Sequence, residues 1–261
     1  MTAPYMVSVS LTDSSSLDRN TFPGNLEFTQ ELDLIFTSPV TFFVGENGSG
    51  KSTLLEAMAV LSHLPISGGG MNETDANHAI EEHSILANSL RLGFVRQPHD
   101  RYFFRADTQA HFATLLEQRR DDPDFKLPGG ARADPFKEYG GRSLHRMSHG
   151  EAFLAVLKNR FRQGFFLMDE PESALSPQRQ LALLVLMHNL IRRGSSQFIA
   201  ATHSPILLTF PGATIISFDH GQLRQIDLEE TSHFKITKNL LNNPESYWRH
   251  LSASANDTEP G

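Results

Sequence analysis

Eight consecutive residues, Gly45-Glu46-Asn47-Gly48-Ser49-Gly50-Lys51-Ser52, match the pattern G-x-x-x-x-G-K-[ST] at every fixed position. The glycines permit backbone angles that aim successive amides inward, which makes a concave anion cradle. A helix starting directly after them presents its positive end to the same anion. Lys51 is then placed to reach the β- and γ-phosphates of a nucleotide, and the Ser52 hydroxyl to ligate magnesium, with Thr53 closing the phosphate-binding set. A chance glycine-rich turn is the competing reading. It is disfavoured because the run before the loop, VTFFV, is β-rich and the run after it, KSTLLEAMAVL, has helical periodicity.

A second acidic constellation lies further along, where the apolar run Phe165-Phe166-Leu167-Met168 delivers Asp169 and Glu170. In open α/β sheets ligands bind at the carboxyl ends of strands. Asp169 is therefore expected to hold hydrated magnesium. Glu170, on the opposite side in strand terms, is expected to polarise an attacking water. An acidic turn before Pro171 is the bland alternative, and it loses weight beside the phosphate loop.

The elements that must position these groups alternate. Residues 5–11, 40–44, 89–95, 165–168, 197–201 and 214–218 read as strands, and residues 51–61, 108–120, 150–161 and 177–193 as helices. This predicts an α/β fold, a P-loop NTPase with a mainly parallel sheet. Residues 99–147, which include three prolines and a glycine pair between 121 and 139, read as an inserted, partly helical subdomain. The expected organisation is one domain over 1–261, with a nucleotide-binding core at about 1–98 and 148–230 and a small, polar tail at 252–261 expected to be disordered. Residues 67–77 read as a surface loop.

Composition narrows the class. The 261 residues carry a net charge of -7 and no cysteine, which excludes disulfide scaffolds, thiol nucleophiles and cysteine-ligated metal sites. The acidic balance argues against a broad electrostatic grip on nucleic acid. No secretory leader is visible, no apolar run approaches the roughly 20 residues that span a bilayer, and a cytoplasmic location is expected.

In order, the motifs resemble those of ABC-type ATPases over about residues 40–205, with the phosphate loop as Walker A and Asp169-Glu170 as Walker B. Gln97 resembles the Q-loop glutamine, Met147-Ser148-His149-Gly150-Glu151 the signature, Ser173-Ala174-Leu175-Ser176 the D-loop, and Ala201-Thr202-His203-Ser204-Pro205 the switch-histidine segment. The resemblance implies ATP and Mg2+ as ligands, with Gln97 contacting magnesium or the attacking water. It implies that His203 meets the γ-phosphate and helps organise Glu170. It also implies a head-to-tail dimer in which Ser148 and Gly150 of one protomer reach the other's ATP. His149 and Glu151 depart from the usual glycine and glutamine, and Ser176 from a common aspartate. The chain is most similar to small stand-alone bacterial ATPases often given AAA-family names, which implies hydrolysis coupled to an unidentified protein partner. The alternatives are an ATP-binding subunit of a membrane transporter and a nucleic-acid-associated ATPase of DNA repair or phage defence.

Other candidates carry less. Phe22 is a candidate adenine-stacking residue, set against a packed core or turn phenylalanine. His78 and His83 flank Glu81 and Glu82 at a spacing that suits no helical ligand pair, and they read as solvated histidines. Arg142 and Arg146 read as a solvated face, set against a contact with phosphate or an acidic partner, residues 121–124 as an exposed turn, and Tyr247-Trp248-Arg249 as core packing, set against a partner contact.

Overall fold

The computed structural model describes residues 4–12, 17–71, 84–107, 109–121, 134–147, 149–160, 163–194 and 196–256. In chain order its strands and α-helices are β1 (Met6–Leu11), β2 (Asp33–Ile35), β3 (Val40–Val44), α1 (Lys51–Leu61), β4 (Gly69–Gly70), α2 (Ser84–Asn88), β5 (Leu90–Phe94), β6 (Arg101–Arg105), α3 (Gln109–Asp121), α4 (His149–Arg160), β7 (Gly164–Asp169), α5 (Pro177–Arg192), β8 (Ser196–Ala201), β9 (Thr214–Ser217), β10 (Arg224–Ile226), α6 (Ser232–Asn242) and α7 (Pro244–Asn256).

Among the described residues, a seven-stranded sheet runs β10-β9-β3-β8-β7-β6-β4, and a three-stranded sheet runs β2-β1-β5. The inner five strands of the larger sheet are parallel, with antiparallel β10 and β4 at its edges. The sheet is covered on both faces, so β3, β7 and β8 are buried along their whole length and mostly apolar. Alternate residues of each strand serve opposite cores. Phe43, Phe165, Leu167 and Ile199 join Leu54, Leu55 and Met58 of α1. Phe42, Phe166, Met168 and Phe198 join Val156, Leu157, Leu183 and Met187 of α4 and α5. Burying a side chain of this size contributes about 1.5–3 kcal/mol, so the central strands are held firmly between the layers.

One buried amide ties the two sheets together. Gln197 of β8 is fully buried. Its Oε1 accepts from the Tyr5 and Met6 amides at 2.8 and 2.9 Å, and its Nε2 donates to the Met6 carbonyl at 2.8 Å.

Four differences from the sequence reading matter. Segment 101–105, assigned there to the insertion, is β6 of the central sheet and pairs with β7 from Arg101↔Phe165 to Arg105↔Asp169. Within the expected loop at 67–77, Gly69–Gly70 forms β4 against β6, and residues 72–77 lie outside the described set. The tail expected to be disordered from 252 is instead the last turns of α7 as far as Asn256. Asn243 Oδ1 accepts the Ser246 amide at 3.2 Å and Pro244 occupies the first helical position, which are helix-starting features. Residues 257–261 lie outside the described set. Trp248, expected in the core, is 67% exposed.

Replacing Gln197 with Leu strands two amides and a carbonyl in an apolar interior, at about 1–3 kcal/mol for each unsatisfied group. Gln197→Leu is therefore expected to lower unfolding stability by at least about 3 kcal/mol in denaturant titration. A loss below about 1 kcal/mol would show that the tie is dispensable.

Candidate functional site

The parallel strands end together. Register pairs Val44 with Ser217, Phe43 with Ala201, Ala201 with Asp169 and Asp169 with Arg105. The residues just beyond these ends therefore gather at the carboxyl end of the parallel strands, where β3 passes into the phosphate loop.

The loop is held from inside by its own lysine. Lys51 Nζ donates to the Gly45 and Glu46 carbonyls, both at 2.8 Å. Burial pulls the lysine pKa down, while Glu170, Asp169, Asp219 and Glu172 push it back up. Asp219, just past β9, anchors the loop by accepting the Glu46 amide at 3.0 Å and the Ser217 hydroxyl at 3.2 Å. Gly50 has φ 94°, and a Cβ there would lie 2.4 Å from the Phe28 ring, so both conformation and space require glycine. Gly48 also has positive φ, at 81°, but faces open space. Asn47 and Ser49 complete the turn, Ser49 N–H donating to the Glu46 carbonyl at 3.3 Å. Thr53 follows within the first turn of α1.

The Ser52 hydroxyl donates to Asp169 Oδ1 at 2.9 Å, joining α1 to β7. Both line a cavity of about 290 Å3 with Arg105, Asp107, Glu170 and Ser173. A hydroxyl and a carboxylate facing one cavity fit magnesium, which takes few protein ligands and completes its shell with phosphate oxygens and water. Among the described residues no group of three or more His, Asp or Glu side chains could hold a metal unaided. Burial raises the Asp169 pKa to about 6, against the opposing pull of Arg105 and the Ser52 hydrogen bond.

Glu170 follows in left-handed conformation, φ 44° and ψ 53°. That geometry costs a non-glycine residue about 1–2 kcal/mol, and it turns the carboxylate out of the strand. Glu170 Oε1 lies 3.6 Å from His203 Nε2, and the Ser173 hydroxyl donates to Oε2 at 3.4 Å. The segment carrying His203 is fastened by Glu172, which accepts the His203 amide and, at 2.8 Å, the Thr202 hydroxyl. Burial raises the Glu172 pKa and lowers that of His203; Lys51 and His233 lower the latter further.

Lys51, Ser52, Asp169, Glu170 and His203 thus share one site, and Gln97 does not. Gln97 precedes Arg101, at the opposite end of β6 from Asp169, and its side chain accepts from the Arg101 guanidinium. Its assignment to magnesium or water is corrected on that ground. The end of β6 delivers Arg105 and Asp107 instead: Arg105 pairs with Glu56 and, at 2.8 Å, with Asp107, and stands 4.0 Å from Asp169. The sequence reading missed Arg105, Asp107, Glu172, Asp219 and His233. Glu172 had a signal, two residues past the acid pair; the others become meaningful only through distant pairing.

Gly150 lies in the first turn of α4, where a Cβ would meet Arg179 and the Ala174 carbonyl, so its smallness serves close packing. Ser148, His78 and His83 lie outside the described residues. Phe22 is 49% exposed and so is not core packing. A larger cavity, about 1470 Å3, lies in the inserted segment beside Arg142 and Arg146; no residue of the phosphate loop lines it.

Two family profiles match the chain: "AAA domain, putative AbiEii toxin, Type IV TA system" over residues 85–209 and "AAA domain" over residues 24–101. The chain is 26% identical over 226 residues to the sn-glycerol-3-phosphate import ATP-binding protein UgpC of Rhodopseudomonas palustris, the match covering 80% of this chain and 57% of that protein. It is 25% identical over 225 residues to the petrobactin import ATP-binding protein FpuD of Bacillus anthracis, covering 84% and 82% respectively. Its fold is like that of "a putative metal-chelate type ABC transporter" (16% identity, TM-score 0.53, 90% of this chain and 88% of that one). It is also like cbiO1 of Clostridium perfringens (17% identity, TM-score 0.50, 96% and 100%). The chain thus has an ABC cassette-like α/β fold. Among the described residues, no helix is long and apolar enough to cross a membrane.

The raised Asp169 pKa has a consequence for the nucleotide-free protein. The fold favours the protonated carboxyl, so this stabilisation is full below an unfolded value near 3.8 and is lost as pH rises through about 6. Asp169→Asn, which mimics the neutral form, is expected to match wild type near pH 4 and to exceed it above pH 6.5 by on the order of 2 kcal/mol. Thermal unfolding across this range checks it, and a pH-independent difference would contradict it.

Proposed function

We propose that this P-loop ATPase domain of the ABC/AAA type binds ATP with Mg2+ and hydrolyses it through a nucleotide-dependent dimer that drives an unidentified protein partner. The observation that carries this reading is the gathering of Lys51, Ser52, Asp169, Glu170 and His203 at one end of the parallel strands.

The mechanism follows from the groups present. Loop amides and Lys51 bind the phosphates, with Lys51 leaving the carbonyls it now holds. Ser52 and Asp169 would hold magnesium, which supplies charge neutralisation on the β- and γ-oxygens when bound. The Glu170 carboxylate orients a water and receives its proton, and the His203 N–H stabilises charge on the γ-phosphate. Gly150, in the first turn of α4, and Ser148 are proposed to contact the nucleotide of the second protomer, and Phe22 to stack on adenine. Asp107 and Arg105 take the side of the site once given to Gln97.

A transporter role for the partner is the second reading, supported by the names of relatives such as UgpC and FpuD. Both readings fit a cytoplasmic protein.

Steady-state ATPase assays with light scattering in parallel test the engine. Lys51→Ala is expected to lose turnover on the order of 100-fold. Glu170→Gln is expected to keep ATP binding, lose turnover to a similar extent and accumulate as a dimer with ATP. Wild-type turnover in either variant would contradict the reading.

A further inference from the structure

Beside His203 stands a second histidine that the proposed mechanism does not use. His233 lies in the first turn of α6, whose N-terminus is capped by Thr231: its Oγ1 accepts the Phe234 amide at 3.3 Å. His233 Nε2 is 2.8 Å from His203 Nδ1, with ring centroids 4.8 Å apart. The two outer nitrogens, His203 Nε2 and His233 Nδ1, are buried and have no hydrogen-bond partner.

Two neutral imidazoles that meet nitrogen to nitrogen share one proton between them. If His203 Nδ1 carried it, His203 Nε2 would turn a lone pair toward the Glu170 carboxylate, 3.6 Å away, which is repulsive. If His233 Nε2 carries it, His203 Nε2 bears its own proton and points an N–H at that carboxylate. The second arrangement is the favourable one. It is also the one a γ-phosphate requires, since phosphate oxygens only accept. Burial keeps both rings toward the neutral form, in which the choice of tautomer matters.

We propose that His233 is a positioning residue for hydrolysis: its Nε2–H donates to His203 Nδ1 and so holds His203 as an N–H donor toward Glu170 and the γ-phosphate. The kinetic part rests on the ATPase reading above; the tautomer does not. A consequence is that α6, outside the central sheet, contacts the chemistry through one side chain.

The test has two readouts on the full chain. Nitrogen-15 NMR of the histidine side chains, with His203→Asn used for assignment, is expected to find His203 protonated on Nε2 in nucleotide-free wild type at pH 7.5. In His233→Leu it is expected to become a mixture of tautomers. In ATPase assays His233→Leu is expected to lower kcat about tenfold, the loss of roughly one hydrogen bond, with KM within about twofold. His233→Gln, whose amide supplies a replacement N–H, is expected to recover most of that loss. An unchanged His203 tautomer in His233→Leu, or equal loss in the Leu and Gln variants, would overturn the proposal. A wild type that never hydrolyses ATP but keeps the Nε2–H signal would refute the ATPase reading and leave the tautomer assignment standing.

Discussion

The hydrogen bond from Ser52 to Asp169 joins the helix that begins at the phosphate loop to the strand that carries the acid pair. The phosphate loop, the acid pair and the His203 segment are arranged around that junction. On one side, α1 is packed under the sheet by Leu54, Leu55 and Met58. On the other, β7 is hydrogen-bonded into the sheet along its whole length, with β6 and β8 as neighbours. A hydroxyl and a carboxylate held this way are already within reach of a common cation, so little ordering remains to be done when one arrives.

Around that junction the protein concentrates polar groups that a core would exclude. Asp169, Glu56 and Lys51 are all buried, and Arg105 lies between Asp169 and Glu56. Glu170 adds a left-handed backbone. Each departure costs stability, and the apolar layers on both faces of the sheet offset it. Their coincidence at the carboxyl end of the parallel strands is what a ligand of high charge requires: cations and amides for phosphate, acids for its metal.

The motifs that were legible in the sequence are the local ones. The phosphate loop is a strand, a turn and a helix in immediate succession, and the acid pair ends an apolar strand, so each carries its own context. Gln97 was misread because its assignment followed order along the chain. Which strand lies beside β7 depends on pairing Arg101 with Phe165, 64 residues away in sequence, and no local pattern reveals it. Asp219 and His233 are hidden for the same reason: each is an ordinary polar residue until a distant segment folds against it. The helices α6 and α7 are a different case. Thr231 before one and Asn243-Pro244 before the other are start signals present in the sequence, and the small polar composition of the tail hid only the end of α7.

The most direct test of the account is metal binding at the junction itself. Mn2+, a spectroscopic substitute for Mg2+, would be titrated by electron paramagnetic resonance in the presence of ATP into wild type, Ser52→Ala and Asp169→Asn. The account predicts one ATP-dependent Mn2+ site in wild type and an affinity at least about tenfold weaker in each variant, the range expected when a partner of a metal site is lost. Equal affinity in all three proteins would contradict it, because the Ser52–Asp169 junction would then not be where the metal sits.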